Sequence, residues 1–201
     1  MRDASEALIV IDMQNDFCPG GNLAVTGGDE IVAGINELMG DFQNVILTQD
    51  WHPAGHSSFA SSHKDKEPFT MTDMDYGPQM LWPDHCIQGS DGAAFHAGLD
   101  QKPAQMIVRK GFRPGIDSYS AFFENDRTTT TGLAGYLRMR SVQKLTLVGL
   151  ALDYCVAYSA IDGAKLEFDV TVAYEMSRAI AEDSLKAAVE TMRNAGVVLA
   201  A

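Results

Sequence analysis

Ala7-Leu-Ile-Val-Ile11 is a short, continuous apolar run that stops at Asp12. A run of that length without polar alternation fits a strand buried on both faces. The pattern recurs. Val45–Leu47 leads to Asp50, Met106–Val108 to Lys110, and Leu145–Val148 to Gly149. Val170–Ala173 and Val197–Ala200 complete the candidate strands.

Helical spacing fills most of the gaps. Ile31, Val32, Ile35, Leu38 and Met39 share one face, with Asp29 and Glu30 at the positive end and Gly40 as the stop. Thr128–Arg140 places Leu133 and Leu137 together, and Asp153–Lys165 carries a stripe of small residues suited to lying close on a sheet. Ser184–Asn194 is the last helix, stopped by Gly196. This alternation predicts an α/β fold: a single domain over residues 1–201, with a six-stranded, mostly parallel sheet and helices on both faces. Ligands of such sheets sit beyond the carboxyl ends of the strands. Asp12, Asp50, Lys110 and the Gly149–Cys155 turn are expected to gather there. Residues 51–105 break the alternation and are rich in His, Pro, Asp, Gly and Ser, so they read as ordered active-site loops.

Composition narrows the partners. The formal net charge is -12, which argues against a nucleic-acid footprint and against attraction to an anionic membrane. No apolar run reaches the roughly 20 residues of a membrane helix. Met1–Glu6 is polar and is followed by too few apolar residues for a signal peptide. Cys18, Cys86 and Cys155 are odd in number and widely spaced, which fits free thiols in a reducing cytoplasm rather than a disulfide framework.

Several residues invite chemistry, and each has a plainer reading beside it. Cys155 falls in the first turn of a helix, where free N–H groups and the dipole lower a thiol's pKa. The N–H groups of Ala151 and Cys155 could hold an oxyanion. The plain alternative is a buried structural cysteine. Asp12 and Lys110, closing two strands, either mark where the chain meets water or supply a base and a charge to Cys155. Asp50-Trp-His52, then His56 and His85, provide one carboxylate and imidazoles suited to Zn²⁺, Fe²⁺ or Mn²⁺. They could equally be loop histidines bonded to the backbone. Phe17, Trp51, Trp82 and Tyr119 flank these motifs and could wall a pocket for a flat ring.

Taken together the motifs resemble a family. Ile9-Val-Ile-Asp12-Met-Gln-Asn-Asp-Phe17, Asp50-Trp-His52-Pro, Leu81-Trp-Pro-Asp-His85-Cys-Ile-Gln-Gly, Val108-Arg-Lys110-Gly and Gly149-Leu-Ala-Leu-Asp-Tyr-Cys155-Val follow the order and approximate spacing of the nicotinamidases, members of the isochorismatase-like cysteine hydrolases. His63-Lys-Asp-Lys-Glu-Pro68 adds to the likeness.

The resemblance implies hydrolysis of nicotinamide, and of pyrazinamide, in an NAD-salvage setting. It implies a triad of Asp12, Lys110 and Cys155, with a thioester on the cysteine. It implies one divalent metal, zinc before iron or manganese, on Asp50, His52 and His85, with His56 ranked lower. It implies that the ring nitrogen meets the metal while Phe17 and Trp82 sandwich the ring, with Leu150 and Tyr119 beside it. It also implies a cis bond between Leu150 and Ala151. Leu152 departs from the pattern, standing where many relatives carry Thr. Oligomeric state is left open, a homo-oligomer included. The rival readings are another amidase or ureidohydrolase of the superfamily, and a metal- or ligand-binding module without turnover.

Overall fold

The computed structural model describes residues 2–200. In chain order it runs β1 (Glu6–Ile11), α1 (Val32–Met39), β2 (Asn44–Asp50), β3 (Met71–Met74), β4 (Gly77–Met80), β5 (Met106–Lys110), α2 (Leu133–Met139), β6 (Lys144–Leu150), α3 (Ala157–Lys165), β7 (Asp169–Arg178), α4 (Glu182–Asn194) and β8 (Val198–Ala200). Six strands form one sheet in the order β5-β2-β1-β6-β7-β8. Every pairing in it is parallel. The apolar runs behave as their composition demands. β2 is buried along its whole length, and β1 from Ala7 onward.

Chain direction along the sheet reverses at β1. The β1-α1-β2 crossover steps one way, and the crossovers through α2, α3 and α4 step the other. Right-handed connections therefore place α1 on one face and the other three helices on the opposite face. The reversal opens a crevice above the carboxyl ends of β1 and β6. Register brings the polar strand ends side by side. Asp50 pairs with Lys110, and Ile11 pairs with Gly149.

The structure differs from the sequence reading in four places. The helix expected from Thr128 begins only at Leu133. Asp126 bonds the N–H groups of Thr128 and Thr129 and the Thr129 hydroxyl, and Gly132 has φ +92°, so a side-chain-capped turn outcompetes helix there. The helix expected from Asp153 opens as a π turn over Leu152–Val156 before α3. The last helix starts two residues early, at Glu182, because the buried Asp153 carboxylate accepts from the N–H groups of Ile180 and Ala181 and from the Ser184 hydroxyl. Finally, the loop region 51–105 contains the antiparallel β3–β4 hairpin, outside the main sheet.

Gly149 shows how tightly β1 and β6 meet. Its φ is +114°, and a Cβ there would stand 2.2 Å from the Ile11 carbonyl oxygen. Gly149→Ala should therefore cost about 2–4 kcal/mol, read as a lowered urea midpoint with an unchanged slope.

Candidate active site

Four adjacent strand ends supply the site. Asp12 follows β1 in a left-handed conformation (φ +46°), which Asp tolerates better than most residues. Its N–H donates to the Thr48 hydroxyl at 3.1 Å, and that hydroxyl donates back to Asp12 Oδ1 at 2.6 Å. One oxygen of the carboxylate is thus pinned by β2. The other, Oδ2, lies 2.8 Å from Lys110 Nζ and has no further hydrogen bond.

Lys110 is 1% exposed, and its ammonium is the hub. Besides Asp12 it meets Asp50 Oδ1 at 3.0 Å, the Ser118 carbonyl at 3.0 Å and Cys155 Sγ at 3.5 Å. Asp12, Lys110 and Cys155, far apart in the chain, therefore converge as expected. Burial works against the charged ammonium, but Asp12 and Asp50 overcome it and hold Lys110 well above its ordinary value. Burial raises Asp12, helped by Asp50 and opposed by Lys110. A carboxylate so raised is a better proton acceptor.

Cys155 corrects one expectation. The helix start should lower its pKa; instead burial pushes the thiol well above its ordinary value. Lys110 pulls it down, while the Asp12 and Asp50 charges add to the rise. Desolvation of the anion outweighs the partial charge of one helix end. The peptide bond from Leu150 to Ala151 is cis. The Ala151 carbonyl accepts from the Tyr154 and Val156 N–H groups, anchoring the turn that carries Cys155.

A second cluster adjoins the first. Asp50, His52 and His85 present one ligand atom each within metal-sharing distance. His52 Nδ1 lies 2.9 Å from the Gly111 carbonyl, and His85 Nδ1 lies 2.8 Å from the Pro83 carbonyl. A carbonyl only accepts, so each Nδ1 carries a proton and each Nε2 is the nitrogen turned toward Asp50. The two Nε2 atoms face Asp50 Oδ2, at 2.9 Å and 3.3 Å. One carboxylate oxygen and two imidazole nitrogens gathered in this way are a donor set that fits a divalent metal ion. Gly111 makes room for this: it has φ +66°, and a Cβ there would stand 2.5 Å from His52 Cε1.

His56 does not join this set. Its Nε2 faces the carbonyls of Arg113 at 2.9 Å and Ile116 at 3.2 Å, and its Nδ1 lies 2.8 Å from the Ser58 hydroxyl. Both nitrogens are taken by the protein, although His56 also lies within ligand distance of His52 and Asp117.

A cleft opens over these groups. Its walls include Phe17, Trp82, Tyr119 and Tyr154, and its floor includes Asp50, His85, Ala151 and Cys155. Phe17 meets the His85 ring edge-on at 5.6 Å, and Trp82 meets Tyr154 at 4.8 Å. Leu150 is fully buried beneath and is not a wall residue. Leu152, the departure from the family pattern, is buried against the opposite side, along a groove with Ile31 and Leu185, so it takes no hydroxyl from the cleft. Trp51 stacks under Arg109 instead. Sequence reading missed Thr48, Asp117, Tyr154 and Gln14. The Gln14 carboxamide pairs with both the N–H and the carbonyl of Asp50, like a neighbouring strand. Only the Asp-x-Gln spacing after β1 hinted at it.

Comparison with known proteins agrees with this geometry. The family model described as Isochorismatase domain matches residues 6–201. A nicotinamidase from Acinetobacter baylyi is 51% identical over 192 residues, covering 95% of this chain and 90% of its own. The chain belongs to the nicotinamidases of the isochorismatase family. It is thus a hydrolase by family. The solved nicotinamidase/pyrazinamidase of Acinetobacter baumanii superposes with a TM-score of 0.98 at 50% identity, covering 100% of this chain and 97% of that one. PnC1 from L. infantum, crystallised in complex with nicotinate, gives 0.86 at 38% identity, covering 98% and 93%. A Pyrococcus horikoshii pyrazinamidase in complex with zinc gives 0.79 at 34%, covering 97% and 98%.

The hydrogen-bond geometry separates the histidines experimentally. His85→Ala should lose the bound metal, while His56→Gln should retain it, as measured by metal content after gel filtration.

Proposed function

We propose that this protein hydrolyses nicotinamide to nicotinate and ammonia through a thioester on Cys155. The observation that carries the proposal is the buried Lys110 ammonium, 2.8 Å from the Asp12 carboxylate and within 3.5 Å of the sulfur of Cys155, which lines an aromatic cleft. The nicotinate bound to the L. infantum relative supports a pyridine carboxamide as the substrate. Pyrazinamide, another flat ring amide, is a second expected substrate.

Asp12 Oδ2, free of other hydrogen bonds, takes the thiol proton. The sulfur adds to the carboxamide carbon, and the N–H groups of Ala151 and Cys155 receive the oxyanion. As the tetrahedral adduct collapses, the C–N bond breaks and Asp12 returns the proton to the departing ammonia. Water then adds to the thioester, the C–S bond breaks, and Cys155 regains its proton through Asp12. Lys110 keeps Asp12 in place and offsets negative charge on sulfur throughout. Phe17 and Trp82 flank the ring, with Tyr119 behind Trp82.

Asp50, His52 and His85 would hold one divalent ion, with zinc favoured over iron or manganese because the P. horikoshii relative carries it. When bound, it supplies a Lewis-acid contact for the ring nitrogen. A single acidic domain of this kind suits a cytoplasmic enzyme of NAD salvage. No helix among the described residues is long and apolar enough to cross a membrane.

Two variants test the chemistry. Cys155→Ala should lose ammonia release by at least roughly 10⁴-fold and keep its metal. Near-normal turnover in that variant would sink the nucleophile assignment. Asp12→Asn keeps the Thr48 contact but accepts no proton, so kcat should fall about 10²–10⁴-fold in a coupled ammonia assay. A panel of ureido and carbamoyl substrates run beside nicotinamide separates the other amidases of the superfamily.

A further inference from the structure

The β3–β4 hairpin lies outside the main sheet, yet it sends one polar side chain into the site's support. Gln79, on β4, is 1% exposed. Its Nε2 lies 2.6 Å from Asp117 Oδ2, 2.8 Å from the Tyr119 hydroxyl and 2.7 Å from the Met80 carbonyl. Its Oε1 accepts from the Tyr76 hydroxyl and from Asn125 Nδ2, both at 3.1 Å. Every polar atom of this carboxamide is used, which is what a buried amide requires.

Two of these partners line the cleft. The Tyr119 hydroxyl also accepts the Trp82 indole N–H at 3.0 Å. Asp117 Oδ1 stands 3.9 Å from His52 Nε2. One amide group thus ties the Trp82–Tyr119 wall to the carboxylate beside the metal-ligand cluster. The same stitching continues in the backbone. Asn125 donates to the Asp117 carbonyl at 2.8 Å, and its Oδ1 accepts from the Tyr119 N–H at 3.2 Å.

We infer that Gln79 is a positioning residue: its carboxamide sets the separation between the Trp82–Tyr119 wall and Asp117, and so fixes where a flat ring rests over Cys155. The inference builds on the function proposed above. Gln79 touches neither substrate nor reacting atoms in this arrangement. It acts through the two groups it holds, and a misplacement of about 1 Å is enough to affect binding and catalysis strongly. Buried polar networks of this kind lose specificity when one member is left unsatisfied.

Gln79→Leu removes both N–H donors at nearly constant volume. In the metal-loaded enzyme, KM for nicotinamide and Kd for nicotinate should each rise about tenfold or more, with kcat changed much less. Metal content should stay at the wild-type level. A second readout needs no substrate. In a Trp51→Phe background Trp82 is the only tryptophan, and its fluorescence should become several-fold more open to acrylamide quenching when Gln79 is replaced. Unchanged quenching together with unchanged Kd would overturn the assignment. So would joint loss of metal, kcat and binding, which marks a residue needed only for folding. Gln79→Met, longer and flexible, takes the place of leucine if that variant does not fold, and failure of both to fold overturns the inference. If the wild type neither turns over nor binds these ring compounds while the quenching change is present, the function fails and the positioning role stands.

Discussion

A single ammonium, that of Lys110, is shut inside the protein between the carboxylates of Asp12 and Asp50. Neither the cation nor the anions could stay charged there alone, because taking an isolated charge out of water costs far more than a fold can offset. Together, and with the Ser118 carbonyl as a further acceptor, they satisfy one another. Two side-chain clusters meet through this group. On one side stands the sulfur of Cys155; on the other stand the imidazoles of His52 and His85, grouped around the far oxygen of Asp50.

That arrangement explains why the fold is needed. Parallel register lays the ends of β5, β2, β1 and β6 in a row, so Lys110 and Asp50 at the last positions of their strands, Asp12 just past β1 and Cys155 in the turn after β6 come together. The supports are as buried as the groups they hold. Thr48 fixes Asp12, Gln14 fixes the backbone of Asp50, and Gly111 leaves space for His52. The aromatic cleft then sits on a floor whose polar atoms have little freedom, the condition under which a flat amide is held in one pose.

Burial also changes the chemistry of the cysteine. A helix start stabilises a thiolate only to the extent that the anion remains partly solvated or strongly paired. Cys155 is surrounded by protein and shares its one cation with two carboxylates. In the proposed mechanism the proton therefore stays on sulfur until Asp12 removes it. Base and nucleophile work as a pair rather than through a standing thiolate.

Much of this was legible beforehand. Uninterrupted apolar runs such as Ala7–Ile11 can only be buried on both faces, so the strands, the parallel sheet and the polar residues at strand ends followed from composition and spacing. The named motifs placed Asp12, Lys110, Cys155, Asp50, His52 and His85, and all of these converge. Other features depended on distances that no local pattern encodes. His56 looks like a ligand in sequence, but both of its nitrogens meet partners more than fifty residues away or on its own turn. The Thr128–Thr131 stretch yields to Asp126 because a side-chain acceptor competes with the helical carbonyls. Gln79, on β4, and Asp117, in the loop after β5, carry no distinguishing local pattern, and only the fold brings them together. Sequence determines where the chain must be buried and which chemistry it carries. Only tertiary packing decides which polar atoms are already satisfied, because hydrogen-bond partners distant along the chain become neighbours only in three dimensions.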